Sequence, residues 1–206
     1  MIHYSAEMLT TKQHYKFLTG SIIPRPIAWI TTKNLDTSVI NAAPFSYFTV
    51  ASKEVPLVTI SINRKNHELK DTAANLLKNK QGVIHIVNDE VLYEMNATAA
   101  SLSSEESELS LTNVTLADSH SVDVPGIKEA PIRMEVRVHQ YLPITDHQKE
   151  VISDLFVLEV LDYYFSDSVF DKEREYILPE KLQPVSRLAG NFYGHLSEVI
   201  EVERPS

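Results

Sequence analysis

Hydrophobic and polar positions alternate most cleanly in the stretch APIRMEVRVHQYLP. There Ile132, Met134, Val136 and Val138 oppose Arg133, Glu135, Arg137 and His139, the period of a half-buried strand with one face to the core and one to water. VISDLFVLEVLDYYF, residues 151–165, is β-branched and aromatic on both faces, which predicts a central strand or one buried between subunits. IIPRPIAWITT, residues 22–32, predicts a strand entered through Pro24 and Pro26, with a turn at Lys33 to Thr37. VINAAP and FSYFTVAS are short extended pieces broken at Pro44, which cannot donate to a ladder. In PLVTISI, Val58, Ile60 and Ile62 alternate with Leu57, Thr59 and Ser61, and GVIHIV, residues 82–87, adds another short strand.

Helical spacing occurs twice. RKNHELKDTAANLLKN sets Leu69, Ala73, Leu76 and Leu77 on one stripe with Asp71 placed as an N-cap, and DEVLYEMNATAA does the same with Val91, Leu92, Met95 and Ala99. The acidic run SLSSEESELSLTNV reads as mostly surface, and the tail from Val169 has little period. At least six strands, two or three short helices and no 20–50-residue repeat predict a mainly β (α+β) fold, a barrel or sandwich, over residues 1–206 as one domain.

Composition narrows the chemistry. The 43% hydrophobic and 23% charged residues, with 5 Gly and 10 Pro, are those of a folding chain. A net charge of −9 with no basic cluster excludes nucleic acid as a partner. The absence of cysteine removes thiolate and iron–sulfur chemistry and fits a reducing cytosol, so redox chemistry would require an organic cofactor. Without a leader-like N-terminus or a membrane-length apolar run, the expected location is cytoplasmic, with no membrane partner. The eight histidines lack paired spacing, so no metal is expected. Phosphate-loop, dinucleotide, nucleophile-elbow and HExxH patterns are all missing.

The informative stretch is Asn41 to Thr72. In NAAPFSYF, small residues stand beside Ser46, Tyr47 and Phe48, a surface suited to a flat ring with backbone partners at its edge. In RKNHELKDT, Arg64, Lys70 and Thr72 surround a helix start at Asp71, where free N–H groups and the dipole attract an anion. Taken singly, an ordinary turn with core aromatics and a solvated basic turn explain these pieces better.

PRPIAWITT at 24–32, NAAPFSYF at 41–48, PLVTISI at 56–62, KDTAANL at 70–76 and PVSRLAGNFYGHL at 184–196 follow one another in an order that resembles the flavin reductase-like family, the FMN-binding split-barrel proteins that include the flavoredoxins. The resemblance covers the first 100 residues well and the last 25 moderately, and the middle, apart from SELSLTNV at 107–114, is generic. It departs at NLDTSV, which lacks the usual glycine, and at GVIHIV, where His85 stands in a normally more aromatic strand. It implies a Greek-key split β-barrel, working as a homodimer with FMN near the interface. By that analogy Asn41, Ala42, Ser46, Tyr47 and Phe48 surround the ring, and Ser61, Arg64, Lys70, Asp71 and Thr72 follow the ribityl chain and phosphate. Arg25 and Thr31 lie on the neighbouring strand, and Tyr193 closes over the flavin. The implied activity is NAD(P)H-dependent flavin reduction, serving a small-molecule substrate or a protein redox partner. A flavoredoxin-like electron carrier and a barrel that has lost its flavin are the alternatives. The resemblance assigns binding residues and no catalytic residue.

Overall fold

The computed structural model describes residues 1–203 and 205. Seven strands make the main sheet: β1 (Ala28–Lys33), β2 (Ile40–Phe45), β3 (Phe48–Ser52), β4 (Leu57–Asn63), β5 (Gln81–Ile86), β6 (Ile132–Thr145) and β7 (Val151–Phe165). Every neighbouring pair is antiparallel, in the order β2–β1–β5–β6–β7–β4–β3. The two edge strands, β2 and β3, are consecutive in the chain and joined only by Ser46 and Tyr47. Three residue steps span at most about 10 Å, so the sheet must curl until its edges converge. The Tyr47 carbonyl accepts from the Ser61 N–H at 2.9 Å, tying that corner to β4. Irregularities at Val151/Ser153, Val157/Leu158 and Val160/Asp162 supply part of the bending in β7.

The barrel interior is filled by Ala28, Ile30, Phe45, Ile60, Ile62, Ile84, Val136, Phe156 and Leu158, and α2 (Asp71–Asn79) plugs one end with Ala73 and Leu76. Burying a leucine completely contributes roughly 2–3 kcal/mol, so this short helix is held by packing more than by propensity. Outside the barrel, Trp29, Val87 and Ile127 pack with Val91 and Met95 of the segment that becomes α3 (Leu92–Ala97).

The strand readings over 132–139 and 151–165 describe the observed β6 and β7, and β7 lies centrally between β6 and β4. Three expectations need correction, and one helix is unanticipated. Residues 22–24 precede the strand: the chain leaves helix α1 (Thr11–Ser21), and pairing begins at Arg25. α1 itself starts with a capping box between Thr10 and Gln13, a T-x-x-Q signal present in the sequence. The helix after β4 begins at Asp71, with Lys70 as its N-cap; Lys65 and Glu68 instead bridge a tight turn through Asn66 and His67, both at positive φ, leaving Leu69 exposed outside the helix. On β6 the water-facing row includes Glu135, which is fully buried. Its carboxylate accepts from His120 N at 2.7 Å, Ser121 N at 2.6 Å and the Tyr164 hydroxyl at 2.6 Å.

His85 stands on β5 as a core histidine at 0% exposure, bridging two elements. Nδ1 meets the Trp29 carbonyl at 2.7 Å, and Nε2 accepts from Ile127 N at 2.8 Å, which fixes the neutral ring with its proton on Nδ1. Desolvation pushes its pKa down to about 3.

Candidate functional site

A cleft of about 480 Å³ opens where the end of β2, the turn before α2 and the loop after α3 meet. Asn41, Pro44 and Phe45 form one wall; Lys65, Asn66 and Glu68 to Thr72 form the second; Thr98 to Leu102 and Glu108 form the third. The loop sequence dictates this meeting. Pro44 cannot extend the ladder outward, and α2 must start near β2 to drive Ala73 and Leu76 into the barrel.

At the base lies a connected polar network. Glu108, only 5% exposed, accepts from Asn41 Nδ2 at 3.0 and 2.9 Å and from Ala42 N at 3.3 Å. Asn41 Oδ1 accepts from the Thr72 hydroxyl at 2.8 Å and the Thr32 hydroxyl at 3.3 Å, and Thr32 accepts from Asn75 Nδ2 at 3.1 Å. Each buried group has a partner, so the side chain of Asn41 and the β2 backbone beside it are held in one orientation. Burial raises the pKa of Glu108, and the Asp71 charge adds to this. The N–H groups and the Asn41 amide that point at the carboxylate oppose the shift.

The rim is cationic at one end. Lys70 sits with its ammonium 5.6 Å from the Phe45 ring centre, and neither Lys70 nor Lys65 makes an ion pair among the described residues. Partial desolvation, then the charge of Lys65, lower the Lys70 pKa. Asp71 opens α2, and the first intrahelical bond is from Ala74 N to Lys70 O, leaving the N–H groups of residues 71–73 as orphan donors. Two unpaired ammonium groups beside orphan N–H groups suit a phosphate. The carboxylates of Glu68, Asp71 and Glu108 in the same cleft confine such an anion to the lysine end.

A second chamber of about 320 Å³ adjoins the first across Pro44, Phe45 and Ala99, which line both. Its walls include Ile27, Ser46, Met95, Asn96, Arg187, Asn191 and Tyr193. The Tyr193 hydroxyl donates to Asn96 Oδ1 at 2.9 Å, and the Arg187 guanidinium lies 4.6 Å from the centre of the Tyr193 ring.

The sequence-predicted residues divide into three groups. Asn41, Lys70, Asp71 and Thr72 line the cleft, with Ala42 directly behind it; the Thr72 hydroxyl is committed to Asn41, leaving its N–H. Ser46 and Tyr193 line the second chamber. Arg25, Thr31, Tyr47, Phe48, Ser61 and Arg64 line neither cavity. Arg25 is 7% exposed and donates to the carbonyls of Thr19 (2.6 Å), Ile22 (2.6 Å) and Leu188 (2.9 Å) and to Ser46 Oγ (3.4 Å), stapling α1 and the tail behind the corner. Thr31 donates to Pro125 O at 2.8 Å, and Ser61 pairs with Ser153 at 2.8 Å. Tyr47 stands half-exposed at the corner, its pKa raised chiefly by burial, and Phe48 packs against the barrel core. Arg64 forks onto the fully buried Asp154, Nε to Oδ2 and Nη2 to Oδ1 at 2.9 Å each, and the Tyr141 hydroxyl donates to the same carboxylate at 2.8 Å. Sequence reasoning missed Glu108, Lys65, the 98–102 wall and Arg187. The acidic run reads as mostly surface, and in SELSL only the apolar residues near Glu108 point the other way.

Residues 19–179 match the model of the flavin reductase like domain. The chain belongs to that family. It is 41% identical to the uncharacterized protein YwrF of Bacillus subtilis, over 100% of both chains. Among solved structures, nitrilotriacetate monooxygenase component B from Bacillus cereus superposes with a TM-score of 0.94 at 37% identity, covering 98% of each chain. The 2-nitrobenzoate 2-nitroreductase NbaA of Pseudomonas fluorescens does so at 0.88 and 27%, covering 99% of this chain and 96% of the other. The curled seven-stranded sheet is the split barrel of the family.

Proposed function

We propose that this protein binds FMN in the cleft and is a flavin-dependent oxidoreductase of the NAD(P)H:flavin reductase type. The observation that carries the reading is the unpaired Lys65–Lys70 pair beside the open first turn of α2, facing a groove whose floor is the ordered Asn41–Phe45 segment. The residues fit the cofactor. A phosphate finds two ammonium groups and N–H donors, and a planar ring finds Pro44 and Phe45 with small Ala43 between strand and solvent.

Bound flavin supplies hydride and electron chemistry, which requires no conspicuous acid or base from the protein. The chain's own contribution is orientation and shielding. Glu108 and Thr72 lock Asn41, Asn41 and Glu108 fix the floor, and the 98–102 loop covers one side. The second chamber gives a small molecule room beside the floor, which favours an enzyme over a carrier that exchanges electrons only with proteins. Relatives named as a monooxygenase component and a nitroreductase support electron transfer as the theme.

A homodimer belongs to the same proposal. Leu142, Ile144 and Ile152, exposed at the far end of the β6–β7 hairpin, are apolar residues that a second copy would cover. Among the described residues no helix is long and apolar enough to cross a membrane. The test is anaerobic titration of FMN-loaded protein with NADH and NADPH. Rapid, stoichiometric loss of the visible flavin band with either donor is expected; a flavin that stays oxidised with both overturns the reductase assignment.

A further inference from the structure

The second chamber differs in chemistry from the first. Its lining sets Pro44, Phe45 and Ala99 against the polar Ser46, Asn96 and Asn191, with Ile27 and Met95 almost wholly buried behind them. Its lining holds one cationic group, Arg187, and no carboxylate. That guanidinium is preorganised: it lies over the Tyr193 ring, Nη2 donates to Gly190 O at 2.6 Å, and Tyr193 is itself anchored on Asn96. No acidic side chain pairs with Arg187 among the described residues, so its remaining N–H donors have no protein acceptor. The chamber volume of about 320 Å³ is at the lower end for small-molecule sites, enough for one ring and its substituents and too little for a whole dinucleotide.

A single fork-shaped cation beside the Pro44–Phe45 floor selects a compact monoanion with a flat body, because a carboxylate matches the guanidinium while the body replaces water on that floor. A phosphate dianion is better served by the paired lysines of the first cleft. We infer that the chamber is a substrate site for a small aryl or similarly flat carboxylate, gripped by Arg187 and laid beside the Pro44–Phe45 floor. The inference rests on the flavin reading, since the shared floor is what would bring such a molecule to a bound ring.

Sodium benzoate, with benzamide as its neutral isostere, tests this in FMN-loaded protein through the flavin difference spectrum and through calorimetry. Benzoate is expected to bind saturably, at least about tenfold tighter than benzamide, without displacing FMN. Arg187→Gln should abolish that preference while leaving the FMN dissociation constant unchanged and lowering the melting temperature by no more than about 4 °C, and Arg187→Lys should restore part of it. Equal binding of the two probes, a preference that survives Arg187→Gln, or benzoate that competes with FMN overturns the inference. A wild-type protein that takes up no FMN refutes the flavin reading itself, and that failure is read in the FMN titration before any benzoate is added.

Discussion

Replacing Glu108 tests whether the polar network, rather than the strand ladder alone, sets the cleft floor. In the wild type its carboxylate accepts from Asn41 Nδ2 and Ala42 N, groups that are 6% and 0% exposed by residue. Glu108→Gln places an amide where two acceptor oxygens stood. Either its NH₂ faces the Asn41 NH₂, or Asn41 flips and loses the donors Thr72 and Thr32. Each buried donor left without an acceptor costs about 1–3 kcal/mol. Water from the cleft can reach the Glu108 side, which brings the expected total to about 2 kcal/mol. For a chain of this size that corresponds to a melting-temperature loss of roughly 4–8 °C. Urea unfolding should show a lower midpoint at unchanged slope, and FMN affinity should fall in parallel because the floor loses its fixed orientation. A variant within about 0.5 kcal/mol of wild type, the span of an ordinary surface change, would refute the claim that Glu108 organises the floor.

Three further outcomes are expected. His85 is held neutral, with its pKa lowered to about 3 from 6.5, so its contribution is present above pH 6.5 and lost as pH falls toward 3; the slope rises to about 1.4 kcal/mol per pH unit below pH 6.5, and the drop between pH 6.5 and 4.5 is about 2 kcal/mol. Urea titrations across that range should show it, and His85→Phe, whatever its own stability, should lack that part of the slope. Arg64→Ala strands the Asp154 carboxylate at 0% exposure with only Tyr141 as partner, a loss of about 3 kcal/mol by thermal unfolding; an unchanged melting point would contradict the pair's structural role. Thr10→Ala removes the capping box of α1, and a stability loss of about 1 kcal/mol should follow, with hydrogen exchange rising first in residues 11–14.

The fold was legible wherever one physical demand governed a segment. The faultless alternation of β6 and the two-sided apolar run of β7 follow from pleat and burial, and both strands are found where the sequence places them. Boundaries failed where local chemistry competes with pattern. Leu69 fits the helical stripe, yet Asn66 and His67 take positive φ and close a turn before Asp71. α1 buries only Thr19, so it offers no apolar stripe, and only its capping box announces it.

The site was half legible for a related reason. Residues next to one another in sequence, Asn41–Ala42 and Lys70–Thr72, stayed together in the cleft. Arg25, Ser61 and Arg64 proved to serve long-range contacts with Leu188, Ser153 and Asp154, which only the tertiary pairing reveals. Glu108 reaches Asn41 across 67 positions, and within its acidic run only the neighbouring leucines of SELSL point to burial.

The measurement that bears most directly on the flavin cleft is a paired fluorescence titration of FMN and riboflavin against wild type and Lys70→Ala. If the phosphate sits at the start of α2, wild type should prefer FMN by at least about tenfold, and Lys70→Ala should erase most of that preference while riboflavin binding stays constant. Equal affinity of wild type for both ligands, or an FMN preference untouched by the substitution, would contradict the account.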